Sequence, residues 1–100
     1  MESYEQVMKA IYDAIGHVNR SLPPDQAIER SPETVLIGGE GLESVHLLDL
    51  IVGIEENIER IFRKTISVID SILLAEEPDR LTVDALAQRI VRLLSRPPRD

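Results

Sequence analysis

Ser44 stands where a stretch rich in glycine and glutamate, GGEGLE at residues 38 to 43, gives way to a run of aliphatic residues. A serine at the start of a helix has two chemical uses. Its hydroxyl can accept a backbone N–H of the first turn and act as an N-cap. The same position suits a modified serine, because a phosphodiester there meets the positive end of the helix and several unpaired N–H donors.

Other chemistries fit the neighbouring residues less well. Gly39-Glu40-Gly41-Leu42-Glu43-Ser44 follows the apolar triplet Val35-Leu36-Ile37 and approaches a G-x-G-x-x-G phosphate cradle. Its last position is Ser, however, Glu40 and Glu43 would repel a pyrophosphate, and no second strand is expected to build the parallel unit that motif needs. A nucleophile elbow requires glycines two residues on either side of the serine, where this chain has Leu42 and His46. His46 also points roughly 200° around a helix from Ser44, too far to take its proton. His17 can meet Ser44 only through tertiary folding. With two histidines and no cysteine, no metal site is expected, since carboxylates at ligand spacing do not accompany the imidazoles. Catalysis by this chain alone is not expected.

The elements that must position Ser44 are helical. Apolar residues recur at Tyr4, Val7, Met8, Ile11, Ile15 and Val18 with helical spacing, and Ser3 with Gln6 reads as a capping box. Residues 21 to 43 hold three prolines and three glycines and read as one long connection, with a turn at Ser31-Pro32. A second helix is expected from Ser44 to about Phe62, its inward face formed by Leu47, Leu50, Ile51, Ile54, Ile58 and Ile61. Arg60, Arg63 and Lys64 supply cations at its C-terminal end. Ile66 and Val68 read as extended, followed by a short helix over residues 70 to 75. After the break at Pro78, Thr82 is expected to cap a last helix carrying Val83, Leu86, Ala87, Ile90 and Leu93 or Leu94, which stops before Pro97. The expectation is an all-α fold of three longer helices and one short one, a single domain over residues 1–100.

Composition narrows the partners. Hydrophobic residues make up 43% of the chain with one Phe, two Tyr and no Trp, so the core must be aliphatic. No segment has the roughly 18 uncharged apolar residues of a membrane span, and the start lacks a signal-peptide pattern, so a cytoplasmic location is expected. The net charge of −7 is uneven: residues 1–50 hold three basic against nine acidic side chains, and residues 51–100 hold eight against nine. An acidic half repels nucleic acid and attracts proteins with basic patches. Arg89, Arg92, Arg96 and Arg99 crowd the end of the chain without interleaved aromatics, and read as favourable charges near a helix C-terminus. On the second helix, Val45, Leu48 and Val52 lie opposite the inward face, mixed with Asp49, Glu55, Glu56 and Glu59. Two readings of that mixture stay open. It is a docking face with aliphatic anchors and steering carboxylates, or its apolar members pack beneath the long connection or the short helix and the acids are simply solvated.

With these residues assembled, the chain resembles an acyl carrier protein over nearly its whole length. That family opens its second helix after a long loop with a D-S-L-type tripeptide, which appears here as Glu43-Ser44-Val45 preceded by Gly41-Leu42, with acids at Asp49, Glu55 and Glu56. Glu stands for the usual Asp and Val for the usual Leu, His46 sits where an acid is common, and Arg60, Arg63 and Lys64 make the helix end more basic than is usual. The resemblance implies a four-helix bundle and a discrete carrier, as expected of a monomer that visits several enzymes. Ser44 would bear a 4′-phosphopantetheine arm received from coenzyme A through a phosphopantetheinyl transferase. Cargo would ride as a thioester, as in fatty acid or polyketide biosynthesis. Glu43, Val45, Leu48, Asp49, Val52, Glu55, Glu56 and Glu59 would face acyl-loading ligases and acyl-processing or acyl-transferring enzymes with basic docking patches. The alternative is a non-catalytic helical interaction module in which Ser44 is only a cap.

Overall fold

The computed structural model describes residues 2–37, 44–68 and 81–95. The chain forms helix α1 (Glu2–Asn19), a 3-10 turn (Pro24–Gln26), strand β1 (Val35–Ile37), helix α2 (Ser44–Phe62), strand β2 (Leu81–Thr82) and a last helix α3 (Val83–Ser95). Among the described residues the fold is mostly helical, with one small sheet.

The helices form because each presents an aliphatic stripe to one common core. α1 buries Val7, Met8, Ala10, Ile11, Ala14, Ile15 and Val18; α2 buries Leu50, Ile51, Ile54 and Ile58; α3 buries Val83, Leu86, Ala87, Ile90 and Leu94. These side chains belong to a single cluster. At about 25 cal/mol per Å² of apolar surface removed from water, such stripes hold the helices together more strongly than helix propensity does. α1 and α2 run antiparallel. Gly53 sits against Ala14, where a side chain on Gly53 would come within 3.3 Å of the alanine Cβ. One turn further on, the Asn57 amide donates to the Ala10 carbonyl at 3.0 Å.

The described part of the connection after α1, up to Ile37, is pinned at several points. The Asn19 side chain grips Ile28 from both sides, donating to its carbonyl at 3.0 Å and accepting its N–H at 2.7 Å. Ile28 and Leu36 reach the core. Thr34 closes a turn by donating its N–H to the Ser31 carbonyl at 3.1 Å, and its hydroxyl donates to the Glu29 carbonyl at 2.8 Å. β1 then pairs antiparallel with β2, Val35 opposite Thr82 and Ile37 opposite Leu81, with an irregularity between the two pairs.

α3 begins with its free amides satisfied. Val83 N–H donates to the Thr34 carbonyl and Asp84 N–H to the Pro32 carbonyl, each at 2.9 Å, while Ala85 N–H donates to Thr82 Oγ1 at 3.2 Å. Thr82 is therefore the N-cap expected from the sequence.

Several expectations are corrected. The fold is not purely helical, because the triplet at 35–37 finds a two-residue partner far along the chain. Ser3 lies inside α1, not ahead of it. Ile61 is 36% exposed at the end of α2, and Phe62 beside it packs against the core instead. Val68 is helical and not extended. Lys64 serves a different helix end: its Nζ donates to the Leu94 carbonyl of α3 at 3.0 Å. Arg63 follows α2 with φ of 58°, the left-handed conformation that often ends a helix. The short helix over residues 70–75, the break at Pro78, and Arg96 and Arg99 lie outside the described residues.

Candidate functional site

The residues singled out in the sequence converge on the outer side of α2. The helix is described from Ser44 onward, with the backbone alone described at Ser44 itself; Glu43 lies outside the described residues. No acidic residue occupies the first turn of α2. The partial positive charge of that helix end is thus not offset by a carboxylate within the turn.

From this end an apolar line runs outward along the helix. Val45 is 57%, Leu48 49% and Val52 51% exposed, the side chains rising three and then four residues apart so that they share one face. Burying them would be favourable, yet the fold leaves them about half exposed. These exposures do not fit the reading in which the three side chains pack inside the domain.

The carboxylates divide into two groups. Asp49, Glu56 and Glu59 are exposed, and among the described residues none of their carboxylates has a hydrogen-bond or ion-pair partner. Glu55 is different. It is half-buried, and its Oε2 accepts the Val68 N–H at 2.7 Å. It thereby ties the chain after α2 back onto the helix. Sequence reasoning places Glu55 with the docking acids because its partner is a backbone amide, which no side-chain pattern reveals.

A feature that sequence reasoning missed lies between α1 and α2. His17, Val18 and Ser21 from the end of α1 face His46, Asp49, Val52, Gly53 and Glu56 across a cleft of about 310 Å³. The two histidines of the chain, 29 positions apart, thus line one depression. The signal was present in the antiparallel order of the two helices, which sets the last turn of α1 beside the first turns of α2. Among the described residues no three metal-ligating side chains converge.

A shallower hollow at the sheet is lined by Pro32, Glu33, Thr82 and Asp84. Beside it the Tyr4 hydroxyl donates a short hydrogen bond to Asp84 Oδ1, and Gln88 Nε2 donates to Asp84 Oδ2 at 2.9 Å. The hydrogen bond to Asp84, followed by partial burial, pushes the Tyr4 phenol up to about 12. At neutral pH this phenol keeps its proton and holds α1 to α3; it is not an acid–base group.

Among the described residues no helix is long and apolar enough to cross a membrane. Comparison of the chain with protein-family models, with curated proteins and with solved structures gives no match. The reading of the site therefore rests on its own geometry and on the residues of the motif.

Proposed function

We propose that this chain is a carrier of the acyl-carrier type, in which Ser44 bears a 4′-phosphopantetheine arm and the outer face of α2 presents the arm's cargo to partner enzymes. What carries the reading is the solvent-facing line Val45, Leu48 and Val52, flanked by the exposed carboxylates Asp49, Glu56 and Glu59 and starting at the helix end where Ser44 stands. The three described helices, with the short helix expected over residues 70–75, are on this reading the four-helix bundle of a carrier, to which the β1–β2 pair is an addition.

The arm's phosphate suits the first turn of α2, which offers backbone N–H donors and no carboxylate of its own. When attached, the arm supplies a terminal thiol for thioester chemistry, which this cysteine-free chain lacks. The chain's own work is positional. α2 begins at the serine and carries the docking face, and the carboxylates draw in a partner with basic side chains. Brief, repeated docking agrees with a small face, and tethering raises the effective concentration of the cargo near each enzyme. A phosphopantetheinyl transferase brings the base and the metal for the attachment step.

Incubation with coenzyme A, Mg²⁺ and a promiscuous transferase tests the proposal by intact mass. The wild-type chain should gain one arm and Ser44→Ala none. An unchanged wild-type mass with several transferases would leave the chain a helical interaction module with Ser44 as a simple cap.

A further inference from the structure

We propose that the end of the molecule where α2 and α3 both finish docks on a bilayer surface bearing anionic lipid headgroups. The inference uses neither Ser44 nor the outer face of α2.

This end is basic in a chain that is acidic overall. Arg60, Arg63 and Lys64 are exposed at and just beyond the end of α2, and Arg92 is exposed in the last turn of α3. Lys64 Nζ donates to the Leu94 carbonyl at 3.0 Å, so the two helix ends adjoin and the four cations share one region. Among the described residues none of the four is paired with a carboxylate; the Arg60 guanidinium donates to Asn57 Oδ1 at 2.6 Å, and Lys64 to the carbonyl. The sequence adds Arg96 and Arg99 within four residues of Ser95. The antiparallel pairing that sets Ala10 beside Asn57 brings Glu2 and Glu5 of α1 to the same level, where they offset part of this charge.

An apolar residue stands among the cations. Ile61 follows Ile54 by seven residues and so lies almost in line with it along α2, yet Ile54 is fully buried and Ile61 is 36% exposed. The inward row of α2 therefore runs past its cover at this end. Cations around a bare aliphatic side chain match a lipid surface: the side chain enters the headgroup boundary, while the long arginine and lysine stems keep their charges at the phosphates. A nucleic acid fits less well, because Tyr4, Tyr12 and Phe62, all the aromatics of the chain, pack against the core and offer no open ring for stacking on bases. An acidic peptide would need a groove, and the two hollows described above are lined by other residues.

The net charge of −7 does not forbid this contact. Fields in physiological salt fade over about 8 Å, and Asp49 precedes Ile61 by about 18 Å along the helix at 1.5 Å per residue. Glu56 and Glu59 are closer, but they leave α2 roughly 140° and 160° around the axis from Ile61. Only charges near the end of the bundle meet the headgroups, and among the described residues the cations there outnumber the acids.

Sedimentation of the full, unmodified chain with lipid vesicles tests the proposal. The probes are vesicles of equal parts phosphatidylglycerol and phosphatidylcholine, and vesicles of phosphatidylcholine alone. The chain should bind the mixed vesicles at least about tenfold more tightly than the neutral ones, and molar salt should release it. Each cation near an anionic surface contributes about fivefold. Arg92→Gln should therefore weaken binding about fivefold, and Arg60→Gln with Arg63→Gln about twentyfold, in proteins whose far-UV circular dichroism matches wild type. Ile61→Ser leaves every charge in place and should still weaken binding several-fold. Absence of binding to the mixed vesicles, equal binding to the neutral ones, or undiminished binding by the arginine variants overturns the proposal. So does an Ile61→Ser variant that binds like wild type, which together with displacement by polyglutamate or polyuridylate would assign the cations to an acidic protein or a nucleic acid. Ser44→Ala should bind vesicles as wild type does, so a failure of arm transfer and a failure of membrane contact are read separately.

Discussion

The two long faces of α2 are built from the same kind of residue and behave in opposite ways. On one, Leu50, Ile51, Ile54 and Ile58 are at most 4% exposed; on the other, Val45, Leu48 and Val52 are about half exposed. Aliphatic content alone does not separate them. What separates them is whether a neighbouring helix covers the stripe, and α1 covers only one. The inward face thus contributes to folding, whereas the outward face is available for association.

The sharpest way to break this comparison is truncation on each side. Ile54→Ala should destabilise the fold by about 2–5 kcal/mol, because the cavity is enclosed by α1 and α2 side chains that collapse only partly. Leu48→Ala should change stability by less than about 0.5 kcal/mol. Urea denaturation followed by far-UV circular dichroism reads both, and similar losses would mean that the outer line is part of the core. A second contrast separates the acids of α2. Glu55→Ala removes the acceptor of the Val68 N–H and should cost about 1–2 kcal/mol; Glu59→Ala, with an exposed carboxylate, should fall within about 0.5 kcal/mol of wild type in the same assay.

The smallest effect concerns the contact of α1 with α3. The Tyr4 phenol is raised from the ordinary 10 to about 12 in the fold, first by its hydrogen bond to Asp84. The proton is held more tightly in the folded state, so the contribution is complete below pH 10 and is lost as pH rises toward 12. Because the phenol is only half-buried, Tyr4→Phe should cost less than about 1 kcal/mol at neutral pH. The gap between the two proteins should narrow between pH 10 and 12 in alkaline unfolding curves. A constant gap across that range would show that the hydrogen bond does not couple to folding.

Local patterns were readable before the structure. The spacing of Leu50, Ile51, Ile54 and Ile58 marks the inward face of α2, and Thr82 announces the start of α3, since both signals lie within a few residues of one another. Pairings across the chain were not. Val35 to Ile37 meets Leu81 and Thr82, a partner too short to show a strand pattern of its own. Asn19 clamps Ile28 through a backbone N–H and carbonyl, groups that every residue offers and no sequence motif marks. Glu55 escaped its true partner for the same reason. The candidate site divides along the same line: the outward stripe and the helix start at Ser44 are local, whereas the cleft joining His17 to His46 exists only once α1 and α2 are packed side by side.

The opening amides of α3 carry a consequence for the dynamics of the molecule. Two of them donate to carbonyls of the turn at 32–34 and the third to the threonine that ends β2. If that turn lifts away, the helix loses two acceptors together, and re-forming them requires segments about fifty residues apart to come back into register. The turn and the helix start therefore open and close as a single cooperative unit. Their shared closure links the middle of the chain to its last helix more firmly than the brevity of the strand pair would suggest.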